Sequence, residues 1–144
     1  MSLIPYRQVH HIGIVVADLD AAAAKYESLG FTEPDRFAIK SQGIEAITFH
    51  CGDGYVELIQ PTDPEGAIAR YMAKRGEGTH HIAYRVDDID VVSQVLRERG
   101  IELLYPTPRR GTAGAKVNFI HPKAAGGVLV ELIEPPRSDV FGQQ

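Results

Sequence analysis

His10-His11-Ile12-Gly13-Ile14-Val15-Val16 returns later in the chain as His80-His81-Ile82-Ala83-Tyr84-Arg85-Val86. Both copies run on into an Asp-x-Asp step, Asp18-Leu19-Asp20 and Asp88-Ile89-Asp90, and both then enter a helix-favouring stretch that closes on glycine, Gly30 and Gly100. A second match follows in the same order. Val56-Glu57-Leu58-Ile59-Gln60-Pro61 returns as Val130-Glu131-Leu132-Ile133-Glu134-Pro135. Two matches in one order make a duplicated half-domain the simplest reading, because two copies of so long a repeat are too few and too long for a solenoid.

The pattern within each copy predicts its elements. Residues 9–17 are apolar and β-branched without proline, which suits a strand. Asp18 or Asp20 caps the helix that follows, Ala21 to Ala24 favour it, and Gly30 takes the left-handed position after its end. A short strand is expected at 35–41, then strands at 44–50 and 54–60 joined by Cys51-Gly52-Asp53-Gly54. In the second copy Asp88 caps a helix running to Arg99, and strands are expected at 101–105, 115–120 and 127–133. Pro64 to Arg75 reads as a connecting helix. The expected fold is α+β: two tandem βαβββ modules related by a pseudo-twofold axis, forming a cupped mixed β-sheet. Module one spans about 9–61, the linker helix about 64–75 and module two about 79–135, all in one domain of 144 residues.

Composition narrows the function classes. With 44% hydrophobic and 24% charged residues the chain reads as soluble and globular. A net charge of −4 without a dominant basic patch argues against nucleic acid. The one cysteine, Cys51, excludes an internal disulfide and fits a reducing cytoplasm. Met1 to Gln8 holds no long apolar run, so neither a signal peptide nor a membrane span is expected. Pro135-Pro136-Arg137-Ser138-Asp139 reads as an exit from the fold into a loose tail.

Duplicated modules pack about a pseudo-twofold axis, and equivalent residues then meet across it. The polar residues that recur inside apolar strands are one histidine and one glutamate per copy: His11 and Glu57, His81 and Glu131. Two imidazoles and two carboxylates suit a borderline divalent ion such as Co²⁺, Ni²⁺, Zn²⁺, Mn²⁺ or Fe²⁺. An octahedral ion would keep two positions for water or substrate. A single buried histidine is commonly a hydrogen-bonded core residue, and a single strand glutamate commonly faces solvent. It is the recurrence of all four by repeat symmetry that points to a site. Neighbours in a strand face opposite sides, so His10 and His80 are left as supporting or surface residues.

The chain resembles the vicinal oxygen chelate superfamily and, within it, the methylmalonyl-CoA epimerase family. The carrying segments span about residues 9 to 135. They are His10-His11-Ile12-Gly13-Ile14, Gln42-Gly43-Ile44, Ile68-Ala69, Lys74-Arg75-Gly76-Glu77-Gly78-Thr79-His80-His81-Ile82-Ala83-Tyr84, Val86-Asp87-Asp88-Ile89-Asp90, and His121-Pro122-Lys123 leading to Gly127-Val128-Leu129-Val130-Glu131-Leu132. The resemblance places metal ligands at His11, Glu57, His81 and Glu131, the set reached from repeat symmetry. It implies an isomerase that interconverts (R)- and (S)-methylmalonyl-CoA by proton transfer at C2 through an enolate, and a homodimer. The resemblance alone fixes the acyl group, which leaves an ethylmalonyl or related thioester as an alternative substrate.

Epimerisation takes a proton from one face of C2 and returns one to the other, so two acid/base groups are needed. Glu131 is the first candidate. Its pseudo-symmetric mate Glu57 is the second, with Glu45 as the alternative; the resemblance places an acid/base glutamate near Glu45, at a register Ala46 fits as well. Gln42, Gly114 in the stretch Gly111-Thr112-Ala113-Gly114, and Lys123 are candidates for binding the substrate carboxylate or thioester. Arg75, Arg109 and Arg110 are cations that would attract CoA phosphates. The rival readings are a glyoxalase I–type isomerase or related lyase on the same scaffold, and a metal-free protein that sequesters a small molecule such as an antibiotic. An extradiol dioxygenase is disfavoured because its iron takes only two histidines and one carboxylate.

Overall fold

The computed structural model describes residues 3–137 and separates into two compact units. One is residues 11–80; the other is the rest of the described chain. The expected loose tail after Asp139 lies outside the described residues. Among the described residues no helix is long and apolar enough to cross a membrane.

The first unit holds β1 (Gln8–Val15) from His11 onward, α1 (Leu19–Ser28), β2 (Asp35–Ile39), β3 (Ile44–Cys51), β4 (Gly54–Pro61) and α2 (Ala67–Arg75). Its strands lie in the order β2-β3-β4-β1, with β1 parallel to β4 and the other pairs antiparallel. The β3–β4 hairpin closes at Cys51 opposite Gly54 across a two-residue Gly52-Asp53 turn. Gly52 has φ +59°, a left-handed geometry that such turns require. Alternation then divides the strands. Ile47, Phe49 and Leu58 pack with Leu19 and Ala23 of α1, while Glu57 projects from the other face.

The second unit holds β5 (Gly78–Arg85) from His81 onward, α3 (Ile89–Glu98), β6 (Arg109–Arg110), β7 (Lys116–Ile120) and β8 (Val130–Glu134), with strand order β5-β8-β7-β6 and β5 parallel to β8. Val92 and Leu96 of α3 bury Ile120 and Leu132 as α1 buries Ile47 and Leu58. The helix starts repeat too. Asp18 accepts from the Ala21 N–H, and Asp88 accepts from those of Asp90 and Val91. Leu19 N–H donates to Gln60 Oε1 at 2.7 Å, and Ile89 N–H donates to Glu134 Oε1 at 2.9 Å. Gln60 and Glu134 hold equivalent positions of the repeated strand, so each ties β4 or β8 to the helix it supports. Both units thus have the βαβββ order of an α+β fold.

The strands of the second unit differ in part from expectation. Residues 101–105 form no strand; the one ladder contact there is a bridge between Leu103 and Ile120. The side chain of Asn118, fully buried, takes over the pairing: its Oδ1 accepts from Tyr105 N–H and its Nδ2 donates to Tyr105 O, at 3.0 and 2.9 Å. Pro106 and Pro108 follow, and neither has an N–H to extend a ladder. The third position of the module is filled by the short strand at Arg109–Arg110. The expected strand at 127–133 starts later, at Val130.

Candidate active site

Each unit carries one histidine–glutamate pair, built the same way. In the first, Gly13 of β1 is level with Glu57 of β4, and His11 lies two residues before Gly13. Nε2 of His11 is 3.4 Å from Oε1 of Glu57. In the second, Ala83 of β5 is level with Glu131 of β8, and His81 lies two residues before Ala83. Nε2 of His81 is 2.9 Å from Oε1 of Glu131. Period-two alternation puts each histidine on the face of its level neighbour, hence on the glutamate's face. Glycine or alanine at that neighbour leaves room for the carboxylate to reach the imidazole. All four side chains are buried, with residue exposures of 4% to 6%.

The other expected residues are distributed unevenly. Glu45 does not share the face of Glu57. Its level partners are Ala38 and Gln60, and its carboxylate accepts from Arg36 Nη2 at 2.8 Å; Arg36 Nη1 reaches Asp20 of α1. That binds Glu45 to the helix side of the strands, and Ala46 takes the Glu57 side. His10 and His80 are half-buried, and His80 packs edge-on against Tyr71 at 4.5 Å. Gln42 is exposed in the 3-10 turn Lys40–Gln42. The next residue, Gly43, has φ +64°, and a Cβ there would meet the Asp63 Cβ at 2.6 Å. Gly114 ends the turn Thr112–Gly114, which contains Ala113 at φ +59°. Lys123 is exposed, 3.7 Å from Glu102, in a turn begun by Pro122 and capped by Nδ1 of His121.

Two lining residues escape a reading by composition. Thr48 is level with Glu57, and Phe119 is level with Glu131. Thr48 is discoverable in principle, since a two-residue turn at Gly52-Asp53 sets the hairpin register. Phe119 meets the His81 ring edge-on at 6.0 Å. A hydroxyl in one unit and a phenyl ring in the other make the repeated pairs chemically unequal.

The comparisons with known proteins agree with this fold. Residues 10–119 match the model of the Glyoxalase/Bleomycin resistance protein/Dioxygenase superfamily. The chain belongs to that superfamily. It is 36% identical over 134 residues to the ethylmalonyl-CoA/methylmalonyl-CoA epimerase of Cereibacter sphaeroides, covering 87% of this chain and 96% of the relative. It superposes on the crystal structure of methylmalonyl-CoA epimerase from Mycobacterium tuberculosis with a TM-score of 0.90 and 38% identity, covering 98% of this chain and 96% of that one. A variant of the Streptomyces coelicolor methylmalonyl-CoA epimerase, in complex with 2-nitronate-propionyl-CoA, matches with a TM-score of 0.87 and 34% identity, covering 92% and 97%.

In this glyoxalase-superfamily chain the donor chemistry fits a divalent cation. Each unit buries an imidazole nitrogen against a carboxylate oxygen, with the carboxylate mid-strand among apolar neighbours. A carboxylate held there needs a compensating positive charge, and an ion shared by imidazole and carboxylate supplies one.

Proposed function

We propose that this chain is a metal-dependent epimerase acting on (R)- and (S)-methylmalonyl-CoA, with His11, Glu57, His81 and Glu131 as the ligands of one divalent ion. The observation that carries the reading is the second histidine–glutamate pair, which repeats the first in register and burial. The similarity to acyl-CoA epimerases over nearly the whole chain supports taking both units as one domain and the substrate as a malonyl-type CoA thioester.

The proton at C2 of such a substrate lies between a carboxylate and a thioester. Its removal gives an enolate, and the divalent ion supplies Lewis-acid stabilisation of the charge that develops on the thioester oxygen. His11 and His81 donate neutral nitrogens and hold the glutamates in position. Glu131 takes or returns the proton on one face of C2, and Glu57 serves the other. Glu45 has no part in this, because Arg36 holds it on the opposite side of the strand. Thr48 and Phe119, level with the two glutamates, distinguish the faces. Gln42, Gly114 and Lys123 are assigned to substrate binding, Gly114 through backbone N–H groups of its turn. Co²⁺ is the favoured ion. A homodimer in the cytoplasm belongs to the same reading, supported by the family resemblance and by a sole, exposed cysteine, Cys51.

The test is deuterium exchange at C2 of methylmalonyl-CoA in D₂O, followed by NMR, with Co²⁺-reconstituted protein and Glu131→Gln as control. Exchange that needs metal and collapses in the variant is expected. Fully metallated wild-type protein that exchanges nothing would overturn the reading in favour of a glutathione hemithioacetal isomerase, to be assayed next.

A further inference from the structure

Arg109, Arg110 and Lys116 line a recess of about 190 Å³ together with Asp90 and Pro108. Three cations meet one carboxylate there, in a chain whose net charge is −4. Arg110 and Lys116 are directly opposite in the β6–β7 pair, and like charges so placed repel. Glu134 lies opposite Lys116 on β8 and accepts from the Ile89 N–H, so it answers part of this charge.

The two arginines are also held in position. Arg110 Nη1 donates to Gly114 O at 2.9 Å. The Arg109 guanidinium lies over the Tyr105 ring at 3.9 Å from its centre. Tyr105 is fixed in turn: Asn118 bonds both its N–H and its carbonyl, and Arg97 Nη2 donates to the carbonyls of Tyr105 and Pro106. The Tyr105 ring meets Phe119 at 6.1 Å, and Phe119 meets His81 at 6.0 Å. A continuous line of rings therefore connects the recess to the histidine of the candidate site within one unit.

We propose that this recess binds a phosphate group at the nucleotide end of the acyl-CoA substrate. The inference rests on the acyl-CoA reading above and adds the residues that recognise the end remote from the chemistry. Guanidinium groups pair with phosphate oxygens in a planar, two-pronged geometry, and Lys116 adds a point charge. Contacts so far from C2 strengthen substrate binding and leave the proton-transfer step to the glutamates.

The experiment compares two thioesters in the C2 exchange assay: methylmalonyl-CoA, and methylmalonyl-pantetheine, which lacks every phosphate. In R110Q/K116Q the ratio of kcat/KM for the CoA thioester to that for the pantetheine thioester is expected to fall about ten-fold or more. An unchanged ratio overturns the inference. Adenosine 3′,5′-bisphosphate is titrated by calorimetry against the same metallated proteins, with inorganic phosphate as a second probe. Tighter binding of the bisphosphate by wild type than by R110Q/K116Q is expected, and equal binding overturns the inference. Equal affinity for both probes in wild type would assign the recess to free phosphate and overturn it as well. If wild type exchanges neither thioester, the epimerase reading fails, and the titration alone decides whether the recess takes a nucleotide phosphate.

Discussion

Glu131 is level with Ala83 on the adjoining parallel strand, and its Oε1 lies 2.9 Å from Nε2 of His81. Ala83 presents only a methyl group at that level of β5, so the carboxylate can lean toward the imidazole two residues away. Gly13 does the same for Glu57 and His11.

The proposed placement of Glu57 and Glu131 on opposite faces of C2 makes a prediction about stereochemistry. Glu57→Gln and Glu131→Gln should each abolish net epimerisation, by about 10²–10⁴-fold. Each variant should retain proton wash-out from one epimer, and the two should retain opposite epimers. Exchange of separately prepared (R) and (S) substrates in D₂O checks this. Loss of exchange from both epimers in either variant would argue for a single base.

Ala83 is fully buried beside Ala115, Val117 and Ile133. Ala83→Leu should overpack that cluster at a cost of about 1–3 kcal/mol and push Glu131 away from His81. Thermal melting should record a drop of about 2–4 °C per kcal/mol, and the purified variant should carry less metal than wild type. Wild-type metal content in the variant would contradict this account of Ala83.

Glu45 pairs with Arg36, itself 46% exposed at the side chain. A partly exposed pair of this kind contributes about 0.2–1 kcal/mol. Glu45→Gln should therefore keep its exchange rate within about two-fold of wild type, allowing for the usual small effect of surface substitutions. A loss comparable to that of Glu131→Gln would mean that Glu45 reaches the substrate after all.

An ion bound only by the folded chain stabilises it, by about 2.7 kcal/mol at a hundred times its Kd. Chelation should lower the Tm of wild type and do so much less in His81→Ala. Elemental analysis should find about one ion per wild-type chain. A Tm that chelation leaves unchanged would oppose a resident metal.

Asn118 has no exposure and replaces a ladder with its amide. Asn118→Ala orphans the Tyr105 N–H and carbonyl from that partner, at about 1–3 kcal/mol for each group left unsatisfied. Denaturant unfolding should show the loss as a lower midpoint without a change in slope.

The repeat made much of the fold readable. Strand β1, the α1 cap at Asp18, the β3–β4 hairpin and α3 all sit close to where alternation, capping and turn chemistry place them. The misplaced strand at 101–105 had the right apolar pattern. Its pairing was taken by the Asn118 side chain, a partner thirteen residues away in sequence from Tyr105 that no local pattern reveals.

The sequence by itself singled out the candidate residues: a histidine and a glutamate inside each apolar strand are costly unless used, and duplication presents them twice in one order. Tertiary structure decided how those residues are aimed. A one-residue difference in register sends a side chain to the opposite face of a strand, so only the pairing of β3 with β2 and β4 could assign Ala46 to the face of Glu57 and Glu45 to Arg36. The same holds for Arg109 over Tyr105, where ring and guanidinium meet through a loop held by Asn118 and Arg97. Periodicity along the chain encodes which residues share a face, but the contacts between segments depend on packing that no single segment contains.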